Sequence, residues 1–251
     1  MRVDDLSKQE ISAAEQLARV DCAAVYRLLA LYGLDDVIFT HVSMRVPGER
    51  DQFLISPFGL MFEEVTASSL LKVDAHGDVL SPSDQTFNRG AFVIHSAIHS
   101  ARSNAQCIVH LHTTAGIAVS ALDQGLMPLT QTALTILPTV AYHDFEGPTV
   151  NLAERARIVA DLGDKTLLFL RNHGTLSLGA SAAEAFLGIY SLERACQQQL
   201  AALSMGSPLR LPAAAVQTTM AAQSGRQVDA ALRAWPALRR KLDRLMPGYD
   251  R

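Results

Sequence analysis

The sequence contains few cysteines, no long apolar run and no excess of one charge. Its three cysteines are odd in number and widely spaced within apolar segments. That pattern is typical of buried thiols in a reducing compartment and argues against a disulfide framework or a CxxC metal clip. The 22 lysines and arginines against 25 aspartates and glutamates give a net charge of -3, so no basic excess is available to bind nucleic acid.

The apolar stretches are also short. Each is broken within about a dozen residues, which is too short to cross a bilayer. Residues 1–10 are polar and lack the apolar core of a signal peptide. These absences predict a cytoplasmic protein that acts on small molecules and has neither a nucleic-acid nor a membrane partner.

The chain has enough apolar material for a buried core, with 251 residues of which 49% are hydrophobic and 19% are charged. No internal repeat or linker is visible, which predicts one domain over residues 1–210 and a helical tail over residues 211–251. Pro236 is expected to interrupt the tail helix or to begin its last part. The tail is expected to pack on the domain or on a neighbouring subunit through Leu232, Leu238, Leu242 and Leu245.

Hydrophobic periodicity predicts interleaved helices and strands. Two short runs around a Pro-Gly turn predict a hairpin over residues 39–46 and 52–56. Since some connections are hairpin-short, the pattern favours a layered α/β domain with a mixed sheet over a purely parallel one. Further strands are predicted at 106–112, 140–143 and 165–171, and helices up to residue 34 and at 89–102, 113–122, 151–162 and 181–204.

The strongest chemical signal is the pair His110 and His112 at the end of a predicted strand. Residues two apart in a strand lie on the same face, so both imidazoles can reach one metal ion. The alternative is two histidines on a solvent-exposed strand face.

A third histidine, His173, follows a second apolar strand and precedes Gly174, which allows a sharp turn. Three neutral imidazoles around one ion leave an open coordination position, as catalytic metal sites do. By itself, His173 is equally consistent with a turn or a helix cap.

These histidines belong to a wider resemblance. Over about residues 17–203, the chain resembles the class II aldolase/adducin family, and within it the adducin-like bacterial branch. The segments that carry the resemblance are 40–45 (THVSMR), 54–59 (LISPFG), 92–98 (FVIHSAI), 110–116 (HLHTTAG), 141–144 (AYHD) and 171–174 (RNHG).

The resemblance implies a three-layer α/β/α fold with a mixed, largely antiparallel central sheet. It implies a divalent metal held by His110, His112 and His173, with Zn²⁺ favoured and Fe²⁺ or Mn²⁺ as alternatives. It also implies a homo-oligomer, tetrameric as is common in the family.

The chain departs from the family at its acid–base residues. The aldolases carry a catalytic glutamate four residues before the position of His95, and that place is Ala91 here. The tyrosine that they borrow from a neighbouring subunit falls near Gln131 and Thr132 and is absent. His95 is therefore the candidate catalytic acid or base, because histidine titrates near neutrality. The alternative is a helix histidine packed at an interface.

The phosphate pocket of the aldolases also changes. Its positions correspond to 40–41, 58–59 and 89–90, where Phe58 replaces a hydroxyl. We therefore expect a non-phosphorylated substrate, with Arg89 and His41 able to hold a carboxylate and Phe58 suited to an aromatic or apolar group. The alternative is a surface arginine and a structural histidine. The predicted substrate-binding residues are His41, Ser56, Gly59 and Arg89.

Together these features predict a metal-dependent lyase that cleaves or decarboxylates a non-phosphorylated hydroxy or oxo acid through a metal-stabilised enolate. Two alternatives stay open. One is an Fe(II)-dependent oxygenase on the same fold, and the other is a non-catalytic, adducin-like interaction module.

Overall fold

The computed structural model describes residues 11–81, 83–147, 153–223 and 226–251, with 89–91 and 226 described by their backbone alone. The strands are β1 (His41–Arg45), β2 (Gln52–Ile55), β3 (Leu71–Asp74), β4 (Cys107–Leu111), β5 (Val140–His143), β6 (Leu167–Leu170) and β7 (Gly174–Gly179). The helices are α1 (Ala13–Leu31), α2 (Arg89–Ala101), α3 (Thr114–Ser120), α4 (Gln131–Ile136), α5 (Glu154–Leu162), α6 (Ala182–Ser204), α7 (Ala214–Ala221) and α8 (Arg226–Leu245).

The strands form one sheet in the order β3-β2-β1-β4-β7-β6-β5. All neighbours are antiparallel except β5 and β6, which are parallel. This confirms the predicted mixed, largely antiparallel sheet.

Two apolar cores flank the sheet, which confirms the three-layer α/β/α prediction. One core joins the sheet to α1, α3, α6 and α8, and the other joins it to α2 and α5. Strand β4 contributes to both cores because its side chains alternate between the two faces of the sheet. Cys107, Val109 and Leu111 face the first core, whereas Ile108 faces the second. His110 and His112 continue the face of Ile108.

Antiparallel pairing brings several strand ends together at one end of the sheet. β4 ends at Leu111, beside the first residue of β1, His41, which pairs with His110. β7 begins at Gly174 on the other side of β4. The predicted ligands His110, His112 and His173 therefore lie together with His41 at this end of the sheet.

Two features of the structure differ from the sequence prediction. β7 (Gly174–Gly179) was not predicted, because its apolar alternation is limited to Leu176 and Leu178 and a glycine stands at each end. Pro236 lies inside α8, which continues past it to Leu245, so the prediction that this proline divides the helix was wrong.

The tail packs against α1 and α6. Leu242 is fully buried in the first core, and Leu238 packs partly against it, whereas Leu232 and Leu245 are exposed. The backbone also ties the tail down, since Ala67 donates a hydrogen bond to the Tyr249 carbonyl. None of the helices in the described ranges has the length and apolar character needed to span a bilayer.

Candidate metal centre

Three imidazole rings converge where β4 ends and β7 begins. Nε2 of His112 lies 3.0 Å from Nε2 of His110 and 3.0 Å from Nε2 of His173. One available nitrogen of each ring lies within 4.8 Å of the others. His110 is buried, and the other two are partly exposed. The predicted ligand residues are thus assembled from two separate parts of the chain.

The remote nitrogens of two rings bind acceptors. Nδ1 of His110 donates to the Thr175 carbonyl at 3.0 Å, and Nδ1 of His112 donates to Oδ2 of Asp36 at 3.2 Å. A neutral ring carries one proton, so both Nε2 atoms are bare acceptors. Two bare nitrogens 3.0 Å apart cannot hydrogen-bond to each other, and their lone pairs repel. A cation between them removes this conflict.

The electrostatics also favour neutral rings. Burial and the neighbouring His173 and His112 hold the pKa of His110 well below its usual value. Burial and His112 lower the pKa of His173 to about 4. Both rings are therefore neutral at pH 7, the form that ligates metals.

The donor set fits a divalent metal that prefers nitrogen. Imidazole nitrogens bind Zn²⁺ at about 2.0–2.1 Å, so two ligands of one ion can lie up to about 4 Å apart, and the 3.0 Å separations satisfy this limit. Asp36 acts on the far nitrogen of His112 instead of joining the cluster. The carboxylate–histidine pair is the usual support of a metal-bound imidazole.

A tight turn places His173 in the cluster. Asn172 adopts a left-handed φ of 56°, which asparagine tolerates better than most residues, and the His173 amide donates to the Leu170 carbonyl at 3.1 Å. Gly174 is needed for a different reason. A Cβ there would overlap the carbonyl oxygen of Leu111 and lie 3.2 Å from Cδ2 of His112.

Two further histidines lie behind the cluster. The ring of His41 is centred 3.9 Å from that of His95 and 5.9 Å from that of His110, so His41 lies close to both rings. Both are buried, and His95 is fully so. Burial and His41 hold the pKa of His95 well below its usual value, which keeps it neutral. Its catalytic role stays a prediction.

The segment before His41 is strained. Thr40 has a φ of 64°, which is unfavourable for a β-branched residue, and its buried hydroxyl finds no hydrogen-bond partner in the described parts of the chain. The sequence resemblance places a glycine of the aldolases at this position.

The other predicted substrate residues lie near the end of β2, with one exception. The Ser56 amide donates to the Tyr26 hydroxyl at 3.3 Å. Gly59 is exposed with a φ of 106°, and Phe58 beside it is 48% exposed. Arg89 begins α2, but its side chain lies outside the described residues.

The sequence analysis missed several residues that act on the candidate site. Asp36 gave no signal, because it lies 76 positions from His112 in an acidic pair typical of a loop. Ser43 lies in the segment 40–45, and the sequence places His99 one helical turn from His95, but neither position indicated the hydrogen bonds that join these residues.

Comparison with known proteins places the chain in a family. Residues 20–200 match the class II aldolase and adducin N-terminal domain. A Caulobacter vibrioides protein named as an aldolase class 2 protein is 54% identical over 244 residues, which cover 96% of this chain and 95% of that protein. Alpha-adducin of Rattus norvegicus is 47% identical over 198 residues, which cover 77% of this chain and 27% of alpha-adducin.

Structural comparison agrees. The structure of L-fuculose 1-phosphate aldolase from Glaciozyma antarctica superposes with a TM-score of 0.82 at 26% identity, covering 95% of this chain and 94% of that one. The higher identity to alpha-adducin agrees with the resemblance to the adducin-like branch. The chain belongs to the class II aldolase and adducin family, whose aldolases are metal-dependent lyases.

Proposed function

We propose that this chain is a divalent-metal-dependent carbon–carbon lyase that acts on a non-phosphorylated hydroxy or oxo acid. The observation that carries the proposal is the convergence of three imidazoles, with Nε2 of His112 lying 3.0 Å from Nε2 of His110 and 3.0 Å from Nε2 of His173. The remote nitrogens of His110 and His112 are already committed to Thr175 and Asp36. A cation is the partner that this arrangement lacks.

In this proposal His110, His112 and His173 hold the metal, and Asp36 fixes the ring of His112. A bound divalent ion supplies Lewis-acid stabilisation of negative charge that develops on a substrate oxygen. The all-nitrogen donor set favours Zn²⁺ or Fe²⁺ over Mn²⁺, which prefers oxygen ligands.

Proton transfer falls to the buried pair His95 and His41. Ala91 carries no carboxylate, so the helix that would supply the family's glutamate offers His95 one turn later. His95 is neutral and can accept a proton, and His41 lies close to both His95 and His110. We propose His95 as the acid–base residue acting beside His41.

The substrate class follows from the altered pocket. His41, Ser56, Gly59 and Arg89 are the proposed contacts of a substrate carboxylate. Phe58 is half-exposed beside Gly59, which disfavours a phosphate and suits an apolar group. By family resemblance we also propose that the chain works as a homotetramer in the cytoplasm.

A second candidate function is a non-catalytic, adducin-like interaction module. Two observations favour it: Ala91 removes the family's glutamate, and the identity to alpha-adducin is high. This alternative makes no use of a metal, so metal content separates it from the lyase.

Elemental analysis of the chain purified without chelator tests the proposal. We expect close to one zinc per chain in the wild type and in His76→Ala, an exposed histidine outside the cluster, and none in His110→Ala. The loaded protein should then split 4-hydroxy-2-oxopentanoate into pyruvate and acetaldehyde. Bound iron with activity only under O₂ would instead support an oxygenase, and failure to take up any metal would leave the interaction module.

A further inference from the structure

A buried row of hydrogen bonds runs from a backbone carbonyl to His95. Nδ1 of His99 lies 2.8 Å from the Ala105 carbonyl oxygen. Nε2 of His99 lies 2.7 Å from Oγ of Ser43, which in turn lies 2.7 Å from Nδ1 of His95. Ser43, His95 and His99 are all at most 1% exposed, so the row is closed to bulk water.

The carbonyl at one end fixes the direction of every bond. A carbonyl oxygen only accepts, so His99 must carry its proton on Nδ1. A neutral His99 then has a bare Nε2, which accepts the single hydroxyl proton of Ser43. With its proton used, Oγ of Ser43 can only accept from Nδ1 of His95. The proton of His95 is therefore on Nδ1.

The surroundings keep His99 in its singly protonated form. Its ring stacks on Phe53 with centroids 4.5 Å apart, and the guanidinium of Arg45 donates to the backbone carbonyl of His99. Burial and the positive charge of Arg45, opposed only in part by the bond to Ala105, lower the pKa of His99 to about 3. The donor and acceptor roles in this row of hydrogen bonds are thus fixed at neutral pH.

We propose that Ser43 and His99 are positioning residues that hold His95 in the tautomer with a proton on Nδ1 and a bare lone pair on Nε2. That Nε2 is buried and finds no hydrogen-bond partner among the described residues. The tautomer is a property of the fold, whereas its catalytic meaning rests on the proposed lyase function.

The proposal explains how His95 can act as a base in a chain where Ala91, four residues earlier, stands in place of the family's glutamate. With Nε2 bare, His95 can accept one proton at that atom. The opposite tautomer would present an N–H there and could accept none. Three hydrogen bonds thus link the Ala105 carbonyl to the basicity of His95.

The test is ¹⁵N NMR of the imidazole nitrogens in the zinc-loaded, histidine-labelled chain, with His95→Gln to assign the signals. In the wild type, Nδ1 of His95 should be pyrrole-type and Nε2 pyridine-type. Ser43→Ala and His99→Phe should each shift the proton toward Nε2. His99→Gln should preserve the wild-type pattern, because its amide can donate to Ala105 and accept from Ser43.

Ser96→Ala is the matched control, since Ser96 is a buried serine next to His95 whose hydroxyl donates to the Val93 carbonyl of its own helix. It should leave both His95 signals unchanged. A proton on Nε2 in the wild type, or unchanged signals in both Ser43→Ala and His99→Phe, would overturn the proposal.

An activity measurement separates this proposal from the lyase function. If the wild type cleaves 4-hydroxy-2-oxopentanoate, Ser43→Ala should lower kcat by about 10²-fold with little change in KM, and His99→Gln should retain most of kcat. Equal kcat in Ser43→Ala and wild type would refute the positioning role. The NMR result needs no turnover, so a wild type inactive on this probe would count against the lyase and not against the tautomer.

Discussion

At the scale of single residues, the far nitrogen of each histidine decides what the near nitrogen can bind. The Thr175 carbonyl accepts a hydrogen bond from Nδ1 of His110, and the Asp36 carboxylate accepts one from Nδ1 of His112. The Nε2 lone pairs of the two neutral rings then face each other. In the same way, Oγ of Ser43 accepts a hydrogen bond from Nδ1 of His95. The site is therefore specified as much by acceptors around the histidines as by the histidines themselves.

Removal of Asp36 should weaken metal binding. In Asp36→Ala the ring of His112 loses its orienting bond, and we expect zinc affinity to fall by about 10–100-fold. Competition against a chromophoric zinc chelator measures the change. Asp35→Ala is the control, since the neighbouring carboxylate is not bonded to a ligand histidine, and equal affinities in the two variants would show that Asp36 does not support the site.

Acid should destabilise the fold through His99. Burial holds the pKa of His99 at about 3, against 6.5 for an exposed histidine. The unfolded chain therefore binds a proton that the folded chain does not, and the free energy of unfolding falls as the pH drops from 6.5 toward 3. The difference corresponds to about 5 kcal/mol at the acid end of that window.

Denaturation of the metal-free chain at several pH values measures this effect. His99→Gln removes the titrating ring and should show a shallower loss of stability on acidification than the wild type. His76→Gln, which changes an exposed histidine, should follow the wild-type curve. Parallel curves for all three proteins would be inconsistent with a buried, neutral His99.

At the scale of elements, the order of the strands in the sheet brings the three ligand histidines together. β7 lies between β4 and β6, so the turn that leaves β6 delivers His173 beside the end of β4. The turn requires a glycine at its last position, Gly174. The backbone of β7 passes so close to β4 that Gly174 has no space for a side chain.

A methyl group at Gly174 should therefore disrupt the cluster. In Gly174→Ala the Cβ overlaps the Leu111 carbonyl and crowds His112, so we expect loss of stoichiometric zinc by elemental analysis. Gly188→Ala, in helix α6, is the matched control, because its Cβ would meet the movable side chain of Leu167 at 3.3 Å and Ser177 at an ordinary contact distance of 3.6 Å. Full zinc content in Gly174→Ala would mean that the turn can adjust.

Helix α8 should contribute to stability through one buried leucine. Leu242 is fully buried against the first core, and truncation to alanine typically costs about 2–5 kcal/mol. Leu232→Ala, at a 53% exposed position on the same helix, should change the free energy of unfolding by about 0.5 kcal/mol or less. Chemical denaturation of both variants decides whether the tail packs on this domain as described.

At the scale of the whole molecule, metal binding and folding should be coupled. The three ligands come from two segments about sixty residues apart, and they meet only in the folded chain. Zinc at 100 times its Kd should add about 2.7 kcal/mol to the free energy of unfolding, or roughly 5–10 °C in Tm. Calorimetry should find no such rise in His110→Ala, and an equal rise in both proteins would place the zinc elsewhere.

Much of this molecule was determined by local sequence. The two-residue spacing of His110 and His112 required a shared face once the segment was a strand, and the apolar periods located most helices and strands. The family's motifs identified the fold, because they cover most of the chain. Such signals involve residues near each other in the chain, so periodicity and motif spacing report them directly.

Only the tertiary structure decided which distant groups complete the site. Asp36 meets His112 across 76 positions, and Ser43 meets His99 across 56. The strand β7 has only two apolar residues between its terminal glycines, a weak strand pattern, yet it lies inside the sheet because β4 and β6 pair with its two edges. These contacts depend on strand order and burial, which are properties of the packed chain and not of any local segment.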